Sequence, residues 1–289
     1  MLTRLGLGLI WLLHFLPLAA QGAFGSALGR VFFALGRRRR IIALTNLRLC
    51  FPQMTGEARL ALARAHFCAF GRSFVERGIL WWAPEARIRR LVRVEGEEHL
   101  AAAKGAPVIL LTPHFLGLDM GWTRLTCDHD MVSVYANQKD FTFNAALLQG
   151  RERFGRSKLL SRQAGIRPAI RAMRDGLPFY YLPDMDYGQR DTIFVPFFGQ
   201  PAATITGVSR LARMCGARVI PCVTRMLPDG GGYVVKLYPA WDNFPGASIE
   251  ADTRRMNAFI EERVLEMPEQ YYWVHRRFKT RPPGAAKLY

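Results

Sequence analysis

Between Arg4 and Arg30 the chain contains no Asp, Glu, Lys or Arg. As one helix this apolar run would be roughly 37 Å long, against about 30 Å for the hydrocarbon core of a bilayer. His14, Pro17, Gln21 and several glycines interrupt it. The run reads as a membrane-inserted anchor, with an interfacial helix lying on the bilayer as the alternative. A cleaved signal peptide is disfavoured, because no A-x-A site succeeds the apolar stretch cleanly. The cluster Arg37 to Arg40 comes next, and positive-inside logic places the chain beyond it in the cytoplasm. Residues 1–36 are thus expected to form an anchor and residues 37–289 a folded domain.

Beyond the arginine cluster the periodicity changes. Apolar positions at helical spacing predict one long helix from about Glu57 to Trp82. Strands and helices then alternate. Val92–Val94 and the apolar run Pro107–Thr112 predict strands, separated by a helix around Glu98–Lys104. Next come a helix at Leu118–Thr126, a strand at Met131–Ala136, helices at Phe141–Arg153 and Ile166–Arg174, and a strand at Phe179–Leu182. A helix at Thr204–Cys215 leads to a strand at Arg218–Arg225, which Gly230-Gly231-Gly232 turns back as a hairpin into Tyr233–Tyr238. A helix at Ile249–Met267 and a basic, aromatic tail complete the chain. This alternation predicts an α/β fold: a single mixed sheet flanked by helices.

Composition excludes a disordered chain and a polytopic membrane protein, since half of the 289 residues are apolar and 22% are charged. Charge adds something new. Forty Lys and Arg face 23 Asp and Glu, a formal net charge of +17, which points to an anionic partner. The five cysteines are odd in number and none is spaced C-x-x-C, so they read as reduced and structural in a cytosolic domain. No zinc-type Cys/His spacing is present, and no RRM, KH or zinc-finger pattern supports nucleic-acid binding.

The chemistry concentrates in TPHFLGLD, Thr112 to Asp119. His114 and Asp119 form an H-x-x-x-x-D pair. Six His and eleven Asp can produce that spacing by chance, so its context matters more. His114 sits just past the carboxyl end of a predicted buried strand, where α/β sheets place ligands. Asp119 falls in the first turn of the next predicted helix, and the turn between them can bring its carboxylate to an imidazole nitrogen. A carboxylate so placed fixes the tautomer and stabilises the imidazolium. The imidazole can then deprotonate a hydroxyl as it attacks a thioester.

PHFLGLD resembles the H-x-x-x-x-D/E signature of lysophospholipid-type acyltransferases. Longer segments resemble one branch, the late acyltransferases of lipid A biosynthesis (lauroyl and myristoyl transferases). They are GRERFGRSKLL at Gly150–Leu160, LPDMDYGQRDTIFVPFFG at Leu182–Gly199, ATITGVSRLARMCGARVIP at Ala203–Pro221 and MPEQYYWVHRRFKTRPPG at Met267–Gly284. Many members carry Glu where this chain has Asp119. The resemblance implies a glycerolipid-acyltransferase-like fold and an acyltransferase domain over residues 37–289. It also implies a reaction. A fatty acyl group moves from acyl-acyl carrier protein to the hydroxyl of a 3-hydroxyacyl chain on a phosphorylated saccharolipid, a Kdo-modified lipid IVA type of acceptor. The product is an acyloxyacyl group, made at the cytoplasmic face of the inner membrane with no metal or redox cofactor. By motif position it implies roles for Arg151 and Asp184 in substrate binding, with Arg153 as a competitor because the local alignment can slip by two residues.

Other residues carry weaker signals. Asp184 and Asp186 resemble a metal pair only superficially, and a turn-forming role for PDMDYG stands beside a functional one. Asp128-His129-Asp130 reads as an exposed turn, and His66 and His99 as structural. Arg276, Arg277, Lys279 and Arg281, after Tyr271, Tyr272 and Trp273, are expected to meet lipid phosphates or to form a plain basic tail. Two rival readings remain. One is acylation of a glycerophospholipid or amino-acid lipid, which the signature permits and the PEQYYWVHRRFKTRP tail opposes. The other is a basic nucleic-acid-binding or membrane-scaffold protein, which the intact His114 and Asp119 oppose.

Overall fold

In the computed structural model, which describes residues 1–289, Pro17 divides the apolar run into α1 (Leu2–Leu13) and α2 (Leu18–Leu35). Proline lacks the amide hydrogen a helix needs and clashes with the turn before it. The continuous helix expected from the apolar run is therefore replaced by two. The second, with 18 residues, is long and apolar enough to cross a membrane by length and composition.

The arginine cluster opens α3 (Arg37–Cys50). Next is α4 (Gly56–Val75), capped by the Thr55 hydroxyl, which accepts the Ala58 N–H at 3.1 Å. α2 lies against α4 at backbone contact. A Cβ on Gly29 would stand 2.1 Å from the Phe67 carbonyl oxygen, and one on Gly71 would stand 2.1 Å from that of Gly25. Only glycine permits such an approach. The apolar segment and the domain thus share an interface. The single helix expected from Glu57 to Trp82 breaks at Glu76, where α5 (Arg77–Trp82) begins. Glu76 is buried there, accepting from Arg72 Nε at 3.1 Å and from the Tyr233 hydroxyl.

The remaining elements run α6 (Glu85–Leu91), β1 (Val92–Glu95), α7 (Glu97–Ala101), β2 (Val108–Leu111), α8 (Leu118–Leu125), β3 (Val132–Tyr135), α9 (Phe141–Arg151), β4 (Lys158–Ser161), α10 (Arg167–Arg174), β5 (Phe179–Tyr181), β6 (Thr192–Phe197), β7 (Gln200–Ile205), α11 (Gly207–Cys215), β8 (Arg218–Met226), β9 (Tyr233–Leu237) and α12 (Ile249–Glu266). Seven strands form one sheet in the order β1-β9-β8-β2-β5-β3-β4. Every neighbouring pair is parallel except β8 and β9, which form the expected antiparallel hairpin. The sheet is mixed and flanked by helices, as the sequence predicted.

Alternate strand residues point to opposite faces, and two cores result. Ile109 and Leu111 of β2 join α3, α4, α10, α11 and α12 on one face. Val108 and Leu110 join α5, α8 and α9 on the other. Two features are not apparent from the sequence pattern. The short edge strand β4 is one. The separate β6–β7 hairpin is the other, closed by Phe198 and Gly199, both at positive φ. Pro196 and Pro201 disguise it, because proline argues against strand. The start of the expected helix at Thr204 belongs to β7 instead.

Candidate active site

Parallel register builds the site. β2 and β5 are neighbours, with Leu111 opposite Tyr181, and the Thr112 N–H extends the ladder to the Tyr181 carbonyl at 2.8 Å. Pro113 and Pro183 then end both strands, since neither can donate to a ladder. His114 and Asp184 come next, one from each strand. The Asp184 carboxylate lies 2.6 Å from His114 Nδ1 and also accepts the His114 backbone N–H, at 3.1 and 3.0 Å.

This corrects the partner assigned to His114. Asp119 sits in the first turn of α8 as expected, but its carboxylate accepts from Arg151, Nε at 3.0 Å and Nη2 at 2.5 Å, with Arg77 Nη2 at 3.6 Å. It makes no hydrogen bond to the imidazole. The start of α8 is pinned elsewhere: the Leu118 carbonyl accepts from the Tyr180 hydroxyl at 2.8 Å, and Gly121 presses α8 onto β8, where a Cβ would stand 2.1 Å from Thr224 Oγ1.

Electrostatics agrees with the two pairings. Burial alone would push the Asp184 carboxyl up. The charge of His114 and its two kinds of hydrogen bond overcome this and hold Asp184 below the usual carboxylate range. Asp119 behaves likewise: burial raises it, while Arg151, Arg77 and the more distant His114 bring it below its ordinary value. An ionised Asp184 accepts, so Nδ1 carries the imidazole proton. Nε2 is then the basic nitrogen. It has no protein partner, and it is open to solvent.

The carboxyl-terminal segment clamps this loop. The Leu116 N–H donates to the Gln270 carbonyl at 2.8 Å, and the Tyr272 N–H donates to that of His114 at 3.0 Å. The Gln270 side chain fixes the segment to the end of β8, bonding Met226 through both its amide oxygen and its amide nitrogen. Asn46 of α3 adds two 2.7 Å bonds to the carbonyls of Trp273 and His275. A small pocket beside the imidazole is lined by Asn46, His114, Asp184, Tyr272, His275 and Arg277.

Of the other residues singled out in the sequence, Arg151 reaches the site through Asp119. Arg153 does not. It donates to the carbonyls of Leu80 and Ala83 at 2.6 and 2.7 Å, closing the end of α5. Arg276 lies half-buried over the Tyr289 ring rather than beside the imidazole. Its neighbour Arg277 is the buried one, donating to the Ala203 carbonyl and Thr204 Oγ1 of β7, each at 2.8 Å. Asp186 is a turn former and latch: it accepts from Gly188 at 2.9 Å and from the backbone and hydroxyl of Thr280 at 2.6 and 2.8 Å.

Sequence pattern alone does not mark His275, Arg77 and Asn46 as site residues. The ring of His275 accepts the Asp186 N–H at 3.0 Å, and burial, with the nearby charges of His114 and Arg277, lowers its pKa to about 4. Its place inside MPEQYYWVHRRFKTRPPG is the available signal.

The family model described as bacterial lipid A biosynthesis acyltransferase matches residues 1–280. The chain belongs to this family. It is an acyltransferase of lipid A biosynthesis. Among its relatives is the lipid A biosynthesis lauroyltransferase of Escherichia coli (strain K12), 36% identical across 100% of this chain and 94% of that protein. The palmitoleoyltransferase of the same organism is 32% identical over the same shares. The myristoyltransferase is 32% identical over 91% of this chain and 82% of its own length. The 1-acyl-sn-glycerophosphate acyltransferase PlsC from Thermotoga maritima aligns with 82% of this chain and 98% of its own, at 15% identity. The TM-score of that alignment is 0.41. The matched residues include the loop that bears His114, the strand end that bears Asp184 and the clamp from Gln270 to Tyr272.

Proposed function

We propose that this enzyme transfers a fatty acyl chain from acyl-acyl carrier protein to the hydroxyl of a 3-hydroxyacyl chain on a lipid A precursor of the Kdo-modified lipid IVA type. His114 is the general base. The observation that carries this reading is the buried, ionised Asp184 at Nδ1, which leaves Nε2 unpartnered and open. Nε2 takes the proton of the acceptor hydroxyl as its oxygen attacks the thioester carbonyl carbon. The C–O bond forms, the C–S bond breaks, and the imidazolium returns its proton to the departing thiolate. Asp184 fixes the tautomer and balances the transient positive charge. Asp119 holds Arg151, whose Nη1 has no protein partner and is free to meet a phosphate or the developing oxyanion.

The reaction belongs at the cytoplasmic face of the inner membrane. Leu2, Leu5, Leu9, Leu12 and Phe15 of the first helix and its end, with Phe24 and Leu35 of α2, are large apolar side chains left exposed, and they suit a lipid surface. The arginines of residues 37–40 beside them suit anionic headgroups. The net charge of +17 fits two acidic substrates.

Disrupting the gene tests the assignment. Mass spectrometry should show lipid A lacking one secondary acyl chain, with phospholipid species unchanged. Intact lipid A with an altered phospholipid or amino-acid-lipid profile would contradict the acceptor.

A further inference from the structure

α10 is a ridge of unpaired positive charge. Arg167, Arg171 and Arg174 are exposed along its outer side, while Ala169, Ala172 and Met173 are buried beneath it. Arg162, just before the helix, is exposed as well and lies over the Tyr187 ring at 4.6 Å. None of the four makes a salt bridge, whereas Arg254 and Arg263 of α12 are paired with glutamates. Like charges three and four positions apart destabilise a helix, so nothing inside the fold accounts for this arrangement.

The placement of the ridge narrows its partner. α10 crosses from the end of β4 to the start of β5, and these strands point the same way through β3. Arg162 and Arg167 therefore lie at the edge of the sheet that carries His114 and Asp184. Moreover, α10 packs on the face of α3, α4, α11 and α12, whereas α9, with α1 alongside it, packs on the opposite face. α1 presents Leu2, Leu5, Leu9 and Leu12. The start of α9 presents Phe141, which is 85% exposed and adjoins Asp140, itself bonded to Thr3 of α1. The apolar surface of α1 and the start of α9 thus lies on the other side of the sheet from the arginine ridge, whereas α2 lies on α4, on the ridge's own face.

We propose that α10, with Arg162, is the docking ridge for an acidic, soluble acyl carrier, which presents its thioester to His114 along the β4 edge of the sheet. This rests on the proposed donor, acyl-acyl carrier protein. Charge complementarity across such a surface acts mainly on encounter, so it is read in KM and in salt dependence rather than in turnover.

The test compares the full-length wild type, Arg167→Glu/Arg171→Glu, and Arg93→Glu, an exposed arginine on β1 without a salt bridge. Each is assayed with acyl-acyl carrier protein and with the uncharged acyl-pantetheine thioester. The double variant should raise KM for the carrier by about tenfold or more with kcat kept, and flatten its salt dependence. KM for acyl-pantetheine should not move, and Arg93→Glu should match wild type. The milder Arg167→Gln/Arg171→Gln pair should fall between. An unchanged carrier KM, an equal rise with acyl-pantetheine, or a loss confined to binding of anionic phospholipid vesicles would overturn the ridge. Wild type that turns over acyl-pantetheine but not the carrier would instead overturn the donor itself.

Discussion

The imidazole of His114 and the carboxylate of Asp184 lie 2.6 Å apart although 70 positions separate them in the chain. β2 and β5 pair in register, Leu111 opposite Tyr181, and each continues through a proline to the reactive residue: Thr112-Pro113-His114 on one, Leu182-Pro183-Asp184 on the other. Equal steps from paired residues bring the two side chains together.

Asp184→Asn tests that pairing. The amide is isosteric but uncharged, and it can hold the imidazole in the wrong tautomer. We expect kcat to fall by about 10²–10⁴ with the circular dichroism spectrum unchanged. A variant that turns over within a few-fold of wild type would remove Asp184 from the proton transfer.

Arg151 and Arg153 should separate cleanly. Arg151→Ala is expected to lower kcat/KM by about 10²–10³, the usual cost of one lost electrostatic donor at a reacting centre. Arg153→Ala should lower the melting temperature and leave kinetics of the surviving enzyme near normal, since it serves the carbonyls of Leu80 and Ala83. Arg93→Ala, at an exposed arginine of β1, is the neutral control. The reverse pattern for residues 151 and 153 would exchange their roles.

Gly29→Leu should prise α2 from α4, because even a Cβ meets the Phe67 carbonyl at 2.1 Å. Overpacking of this kind costs about 1–3 kcal/mol or more, read as a lower denaturation midpoint. Removing residues 1–36 should both release the enzyme from membranes and expose the α4 surface. A truncated chain that pellets with membranes as firmly as the full one would contradict the anchor.

Stability should fall as pH drops from about 6.5 toward about 4. Burial lowers both His66 and His275 to about 4 from 6.5. Between those values the unfolded chain binds protons that the folded chain refuses, so each histidine contributes a loss of up to ~1.4 kcal/mol per pH unit. Asp184 works lower. Its pKa is depressed, so its contribution is present above about 3.9, the unfolded value, and is lost as pH falls through the folded one. Urea denaturation at several pH values measures this, and His66→Gln should flatten the slope. A flat profile between pH 4 and 6.5 would contradict the buried neutral histidines.

Much of this is legible in the sequence. Local signals place β2, α8, β5, β8 and α12 within a few residues, because apolar runs bounded by proline or glycine declare themselves. His114 stands out by its place after a strand. Its partner does not, because spacing along one segment favours Asp119, while the true neighbour depends on strand order, a non-local property. The matching T-P-H and L-P-D strand ends are the visible clue. Arg276 and Arg277 look alike in the sequence, and only the packing of β7 distinguishes the buried one. Pro17 weakens the apolar run on paper, and in the fold it does break the helix.

The most direct measurement is acyl transfer by purified wild type, His114→Ala and Asp184→Asn in mixed micelles holding a lipid A precursor and acyl-acyl carrier protein. We predict a wild-type product heavier by one acyl chain, almost none with folded His114→Ala, and a strong reduction with Asp184→Asn. Near-normal product formation by His114→Ala, at an unchanged melting temperature, would contradict His114 as the base.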